Sequence, residues 1–321
     1  MSDRLTLVAP GIWQLDAPFM GVPLMLYLID GGTKLALVDS GIDTTPEAHI
    51  LPAIEAFGRR PDILINTHGH VDHFGGNARL KAEWPDLRIA AHEIDARWIE
   101  DTRRHLHEFY MPMPEDWCFD DGGAALLALC GGNSAVDHRL TDGETLQVGT
   151  RRFVVHSSAG HSPGHVTLFE RDTGVAISGD VALGWGPPTN EDAPEAPAVF
   201  TDADAYLAGA RMALNLGASL YCTGHFGAIS RERMSAIVDD TDDFVASFDR
   251  WSLEALAGNT PRTLHGVAAF VGNQIPTYEF GFHIHASTLA VLERHARHGR
   301  VRTRVVAGRR VFVLAEGARH G

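Results

Sequence analysis

Apolar and polar positions change over in short blocks along most of the chain. An apolar run, Leu24–Ile29, leads through the turn Asp30-Gly31-Gly32-Thr33 into a second run, Lys34–Asp39, a pattern that predicts a β-hairpin. Pro46 then opens a stretch in which Ile50, Leu51, Ile54 and Phe57 share one helical face, and Gly58 ends it. Asp62–Asn66 reads as a short buried strand, Asn77–Trp84 as a helix, Leu87–Ala91 as a strand and Glu93–Glu100 as a helix. Residues 101–138 break this rhythm. They hold His105, His107, Phe109, Tyr110, Met111, Met113, Trp117 and Phe119, with Pro112 and Pro114 interrupting any long helix. Two readings stand: a cap whose aromatic and methionine side chains face a cavity, or a satellite helical pair packed on itself.

Strand patterns return at Thr145–Val148, Arg152–Ser157, His165–Glu170 and Val175–Ser178. A Pro/Gly-rich loop, Gly184–Pro197, precedes helix Ala203–Leu216 and strand Leu220–Thr223. The remainder is mainly helical, with Thr288–Arg297 carrying an apolar face and Val301–Val306 with Arg310–Leu314 forming a terminal hairpin. Alternating strands and helices predict a layered α/β domain over residues 1–230. Residues 231–321 predict a mainly helical, winged-helix-like appendage.

Composition narrows the function classes. The 321 residues are 45% hydrophobic, enough for a sizeable core, and the net charge of −14 weighs against a dedicated nucleic-acid binder. Cys118, Cys130 and Cys222 are odd in number and form no C-x-x-C pair, which predicts neither a disulfide framework nor a thiolate metal site. The N-terminus lacks a signal-like apolar region, and no run approaches the ~18 apolar residues of a membrane span, so a soluble cytoplasmic protein is expected. Histidine is abundant instead, at 18 residues. A bound metal would therefore be held by imidazole and carboxylate.

The densest chemistry is Thr67-His68-Gly69-His70-Val71-Asp72-His73, directly after a buried strand. Three imidazoles and a carboxylate in six residues are too many polar groups for a core, since each must be satisfied when buried. On a loop, His68 and His70 can converge on one ion while Asp72 and His73 reach a neighbouring one. Gly160-His161-Ser162-Pro163-Gly164-His165, Ser178-Gly179-Asp180 and Thr223-Gly224-His225 each add a His or Asp where a strand meets a loop.

With Val38-Asp39-Ser40-Gly41, these motifs occur in an order and spacing that resemble the metallo-β-lactamase-fold hydrolase superfamily, over about residues 10–230. The resemblance extends to its thioesterases, lactonases and glyoxalase II-like enzymes. It implies a four-layer αββα sandwich with a dinuclear site. His68, His70 and His161 would bind one ion, Asp72, His73 and His225 the other, and Asp180 would bridge them. Asp39 and His165 would support these ligands from behind. Two divalent ions, Zn²⁺ first with Fe or Mn as alternatives, would lower a water pKa towards roughly 7, with Asp72 orienting that water as the catalytic residue.

The leading expectation is hydrolysis of a small ester-like bond by metal-bound hydroxide, in an acyl thioester or a lactone. The alternatives are a phosphodiesterase or nuclease, a mononuclear iron oxidoreductase similar to sulfur dioxygenases, and a metal-binding relic acting as a partner-binding module. His105, His107, Tyr110, Trp117, Trp185 and His283 are the candidate substrate contacts. Arg294–Arg310 holds seven arginines and no acid. It reads as a solvated face, or as a patch for the phosphates of coenzyme A or a carrier-protein arm. An exposed aromatic insertion would suit a homodimer.

Overall fold

The computed structural model describes residues 5–189, 196–258, 260–275 and 281–315. A seven-stranded sheet runs in chain order through β1 (Leu5–Ala9), β2 (Ile12–Asp16), β3 (Met25–Asp30), β4 (Leu35–Val38), β5 (Ile63–Ile65), β6 (Arg88–His92) and β7 (His138–Leu140). Pairing is antiparallel from β1 to β4 and parallel from β4 to β7. The second sheet contains β8 (Thr145–Val148), β9 (Arg151–Ser157), β10 (Val166–Glu170), β11 (Val175–Gly179), β12 (Leu220–Thr223) and β13 (Ala228–Ser230), with β11 parallel to β12. The two-residue side-chain period divides each strand between two cores. Tyr27 and Ile29 of β3 meet Val155, Leu168 and Ile177 of the opposite sheet in the central core, while Leu26 and Leu28 face outward.

Helices cover both outer faces. The first face carries α1 (Leu51–Phe57), α2 (Val71–Phe74), α3 (Asn77–Glu83), α4 (Glu93–Ile99), α5 (Thr102–His105) and α6 (Ala124–Leu129). The second carries α7 (Ala203–Asn215) and α8 (Arg231–Ala255). The result is an αββα sandwich. The helix expected from Pro46 is a π-turn, Pro46–Ile50, fused to α1, because Pro52 has no N–H to donate to the turn before it. Sequence patterning missed β1, β2, β7 and β13. These strands are only three to five residues long, and β1 leaves Leu7 exposed, so their identity depends on ladder pairing.

After α8 come α9 (Leu264–Gly272), α10 (Gly281–Arg297) and the hairpin β14 (Val301–Val306) and β15 (Arg309–Leu314). They do not form a detached unit. Val267, Val291 and Phe312 share one core with Phe200, Ala203 and Tyr206 of the sandwich. Asp116 of the insertion accepts the Leu264 N–H at 3.1 Å and pairs with Arg309. Part of the basic segment is paired within the fold. Arg294 pairs with Asp204 and Asp249, Arg297 with Asp202 and Asp204, and Arg310 with Glu293. No helix among the described residues is long and apolar enough to cross a membrane.

The insertion is a packed aromatic layer. His105 lies in it with 0% exposure, stacked on Trp98 at 4.9 Å and on Phe109 at 5.7 Å, and neither ring nitrogen makes a hydrogen bond. Burial pulls its pKa down to about 3 from 6.5. The unfolded chain therefore takes up a proton that the folded chain refuses between those values, and stability falls as pH drops through that window. Through this group, the unfolding free energy should be about 2 kcal/mol lower at pH 5 than at pH 8. His105→Phe should remove that component in urea melts at the two pH values, and an unchanged acid dependence would contradict the assignment.

Candidate metal centre

The candidate ligands sit where strands end. Asp39 follows β4, Thr67 and His68 lie just beyond β5, Asp180 follows β11 and His225 follows β12. Parallel pairing of β4 with β5, and of β11 with β12, sends these ends to one edge of the sandwich. His70 is the residue before α2, whose first turns place Asp72 and His73. His161 lies on the loop between β9 and β10.

The structure brings all seven together. His68, His70 and His161 form one group, His68, His73 and Asp180 a second, and Asp72, His73 and His225 a third, with donor atoms in each group within 4.8 Å of one another. Asp180 Oδ2 lies 3.1 Å from His225 Nε2, 3.2 Å from His73 Nε2, 3.6 Å from His161 Nε2 and 3.9 Å from His68 Nε2. Asp72 Oδ2 lies 3.5 Å from His225 Nε2 and 3.6 Å from His73 Nε2. Gly224 is required here by space, since a Cβ would come within 2.2 Å of Asp180 Oδ1.

Outer hydrogen bonds set which nitrogen faces inward. His73 Nδ1 donates to Asp39 Oδ2 at 2.9 Å, His161 Nδ1 to the Val199 carbonyl at 2.8 Å and His225 Nδ1 to the Pro23 carbonyl at 2.7 Å. Thr67 spends its hydroxyl proton on Asp39 Oδ2, so its oxygen accepts from His68 Nδ1 at 3.0 Å. Each of these rings thereby turns Nε2 to the cluster. Nε2 of His68, His70, His73 and His161, with Asp180 Oδ1, is buried and makes no hydrogen bond. So many unsatisfied donor atoms converging in a core fit a divalent cation centre.

The charges divide the cluster. Burial lowers the pKa of His68, His70 and His161, helped at His68 and His70 by neighbouring imidazoles, and His161 reaches about 4. Burial also opposes charge on His73 and His225, but Asp72 and Asp180 outweigh it; His73 is raised well above its ordinary value and His225 reaches about 10. Burial would raise Asp72 and Asp180, yet His73 and His225 hold both below the usual carboxylate range.

Two residues support the ligand loops from behind. His165 accepts the Asp180 backbone N–H at Nε2 (3.0 Å) and contacts Ser158 Oγ at 2.7 Å. Asp95 was not singled out by any motif. Its carboxylate accepts the Gly69 N–H at 2.8 Å, the Ser162 hydroxyl at 2.5 Å and the Gly164 N–H at 2.7 Å, clamping the His68–His70 loop to the His161 loop. Its signal in the sequence was an acid on the same helical face as Trp98 and Ile99, where an apolar side chain belongs.

A cavity of about 160 Å³ opens beside the cluster. Phe19, Met20 and Val22 line it from the turn between β2 and β3, Phe109 and Tyr110 from the insertion, Leu126 and Leu129 from α6, and Phe282 and His283 from α10. Of the expected substrate contacts, Tyr110 and His283 therefore face it. Four do not. His105 is sealed in the aromatic layer, and His107, two residues along the same turn, points to the opposite, exposed side. Trp117 lies behind the wall against Phe119 and His285, and Trp185 is 39% exposed and packs against Phe244 and Trp251. Residues 190–195 of the Gly184–Pro197 loop lie outside the described residues. Cys222 is a core thiol, pushed up to about 12 by burial.

Two outcomes follow from this geometry. Asp95→Ala should weaken metal affinity roughly 10–100-fold with the far-ultraviolet circular dichroism unchanged, as read by competition with a chromogenic chelator. Wild-type affinity would show that the clamp has no bearing on the centre. Because His73 and His225 hold protons that a cation must displace, loading metal-free protein near neutral pH should release at least about two protons per chain, with any ionised bound water adding to them. An indicator-dye titration measures this, with about one proton fewer expected for His225→Gln.

Comparisons with known proteins agree with this arrangement. A 241-residue stretch is 27% identical to a hydroxyacylglutathione hydrolase of Mesorhizobium japonicum, covering 74% of this chain and 76% of that protein. A 188-residue stretch is 23% identical to the acyl-coenzyme A thioesterase MBLAC2 of Gallus gallus, covering 51% of this chain and 61% of that protein. The crystal structure of a metallo-beta-lactamase family protein from Thermus thermophilus superposes with a TM-score of 0.75 at 21% identity, over 96% of this chain and 100% of that one. A family model described as the Metallo-beta-lactamase superfamily matches residues 25–225, the span that holds every ligand candidate. The chain belongs to the metallo-beta-lactamase superfamily.

Proposed function

We propose that the protein hydrolyses a small ester-like bond, an acyl thioester or a lactone, at a centre of two divalent ions with zinc as the expected metal. The observation that carries this reading is the convergence of seven His and Asp side chains, five of which (His70, Asp72, His161, Asp180 and His225) line an apolar cavity whose described lining contains no Ser, Thr or Cys. With no hydroxyl of Ser or Thr and no thiol on the described wall, water at the metal centre is the attacking group in this reading. Divalent ions bound here would supply acidification of water and polarisation of the scissile carbonyl.

The chain's own side chains do the rest. Asp72 is held ionised at the cavity floor, where its carboxylate can accept a hydrogen bond from the attacking water and collect its proton. Asp180, 2% exposed, joins the two halves of the ligand set. Asp39, Val199 and Pro23 keep the imidazoles aimed, so no reorganisation is needed at the moment of reaction. The apolar wall excludes bulk water and grips the acyl group. The names of the hydroxyacylglutathione hydrolase and the acyl-coenzyme A thioesterase support a thioester. Coenzyme A or a carrier-protein arm would then extend away from this wall.

The test combines metal analysis with a hydrolysis panel on one sample. Protein loaded with Zn²⁺ should hold about two ions per chain and cleave acyl-coenzyme A, lactone or aryl ester substrates. Chelation should abolish the activity, and Asp72→Ala should lower kcat by about 10²–10⁴-fold. Faster cleavage of bis(4-nitrophenyl) phosphate than of any thioester or lactone would replace this reading with the phosphodiesterase one. One iron per chain with oxygen uptake would replace it with the oxidoreductase.

A further inference from the structure

Outside the seven cluster residues, the cavity wall is apolar except for Tyr110 and His283. Tyr110 turns its hydroxyl to the Val71 backbone, and His283 is partly buried beside Phe282. No Lys or Arg lines the cavity among the described residues. An anionic substituent placed against this wall would lose its water and meet no cation away from the metal centre.

The size of the space is also informative. An apolar cavity of about 150 Å³ holds one benzene ring, and this one, about 160 Å³ including the space against the five ligand candidates that line it, has room for no more than about that. We infer that the cavity takes the acyl half of the substrate, and that this half is an uncharged hydrocarbon group of about one ring or six carbons. Any anionic portion belongs to the leaving half, directed out of the cavity. This assignment rests on the hydrolase reading above and adds the acyl class that the site selects.

The test uses matched esters. The 4-nitrophenyl ester of hexanoic acid and the 4-nitrophenyl monoester of adipic acid have the same carbon chain and differ in a terminal methyl or carboxylate. Metal-loaded protein should cleave the hexanoyl ester with kcat/KM about 100-fold higher or more. Equal rates, or a preference for the adipoyl ester, would overturn the assignment. Leu126→Trp narrows the cavity and should shift the ratio of hexanoyl to acetyl ester cleavage at least about tenfold towards acetyl, with Leu129→Phe as a second narrowing variant. An unchanged ratio in both folded variants would count equally against it.

A binding arm separates this inference from the hydrolase reading. Calorimetric titration of the metal-free protein should show binding of hexanamide and none of adipic acid monoamide, and the reverse order overturns the assignment. Hexanamide binding without cleavage of any ester by the metal-loaded protein would support the cavity assignment and remove the hydrolase reading.

Discussion

The Asp39 carboxylate holds the centre in place. It lies 2% exposed at the end of β4 and accepts the Thr67 N–H at 2.8 Å, the Thr67 hydroxyl at 2.8 Å and His73 Nδ1–H at 2.9 Å. Its backbone has φ +60°, a left-handed conformation that costs roughly 1–2 kcal/mol for a residue with a Cβ. Hydrogen bonds to a charged group contribute about 1.5–3 kcal/mol each, so the three together outweigh that strain. Through Thr67, the same carboxylate also sets the tautomer of His68. One buried anion thus orients ligand candidates from both halves of the cluster.

Asp95 performs the corresponding task on the other side, where it ties together two loops 93 residues apart in sequence between Gly69 and Ser162. Asp180 and Asp72 remain free to face inward, where they keep His73 and His225 charged until a cation displaces their protons. The cluster is therefore neither a core nor a surface patch. Its outer atoms are satisfied by protein and its inner atoms are left for a ligand. Both conditions come from the same backbone ends, because parallel neighbouring strands deliver their loops to one edge.

The insertion and the C-terminal region complete the site as walls. Phe109 stacks on His70 at 4.5 Å, so an aromatic from residues 101–138 is packed directly against a ligand candidate. Phe282 of α10 meets Tyr110 at 4.9 Å, which closes the cavity between segments about 170 residues apart in the chain. Asp116 and its partners Leu264 and Arg309 tie the same two segments together on the outside. Four of the seven arginines in 294–310, Arg294, Arg297, Arg309 and Arg310, make internal ion pairs. Arg294 and Arg297 reach Asp204 of α7 and Arg309 reaches Asp116 of the insertion, which fastens the C-terminal region to the sandwich, while Arg310–Glu293 lies within that region.

The cluster was legible in the sequence because its ligand types are chemically distinctive and sit beside short strands with turn signals. His68 to His73, His161, Asp180 and His225 needed no contact map to be recognised, and the apolar blocks indicated a layered α/β domain, with the αββα order implied by the family resemblance. Other features had no local signature. β1 and β2 become strands through their ladders, and His105 and His107 look alike until packing puts one in a dry stack and the other in water. Tyr110 and His283 differ from Trp117 and Trp185 only in which side of a wall they occupy. Motif residues carry their chemistry in their identity, so sequence alone determined them. Cavity walls, clamps and supporting carboxylates are defined by what lies against them, and chain segments distant in sequence meet only when the tertiary fold is complete.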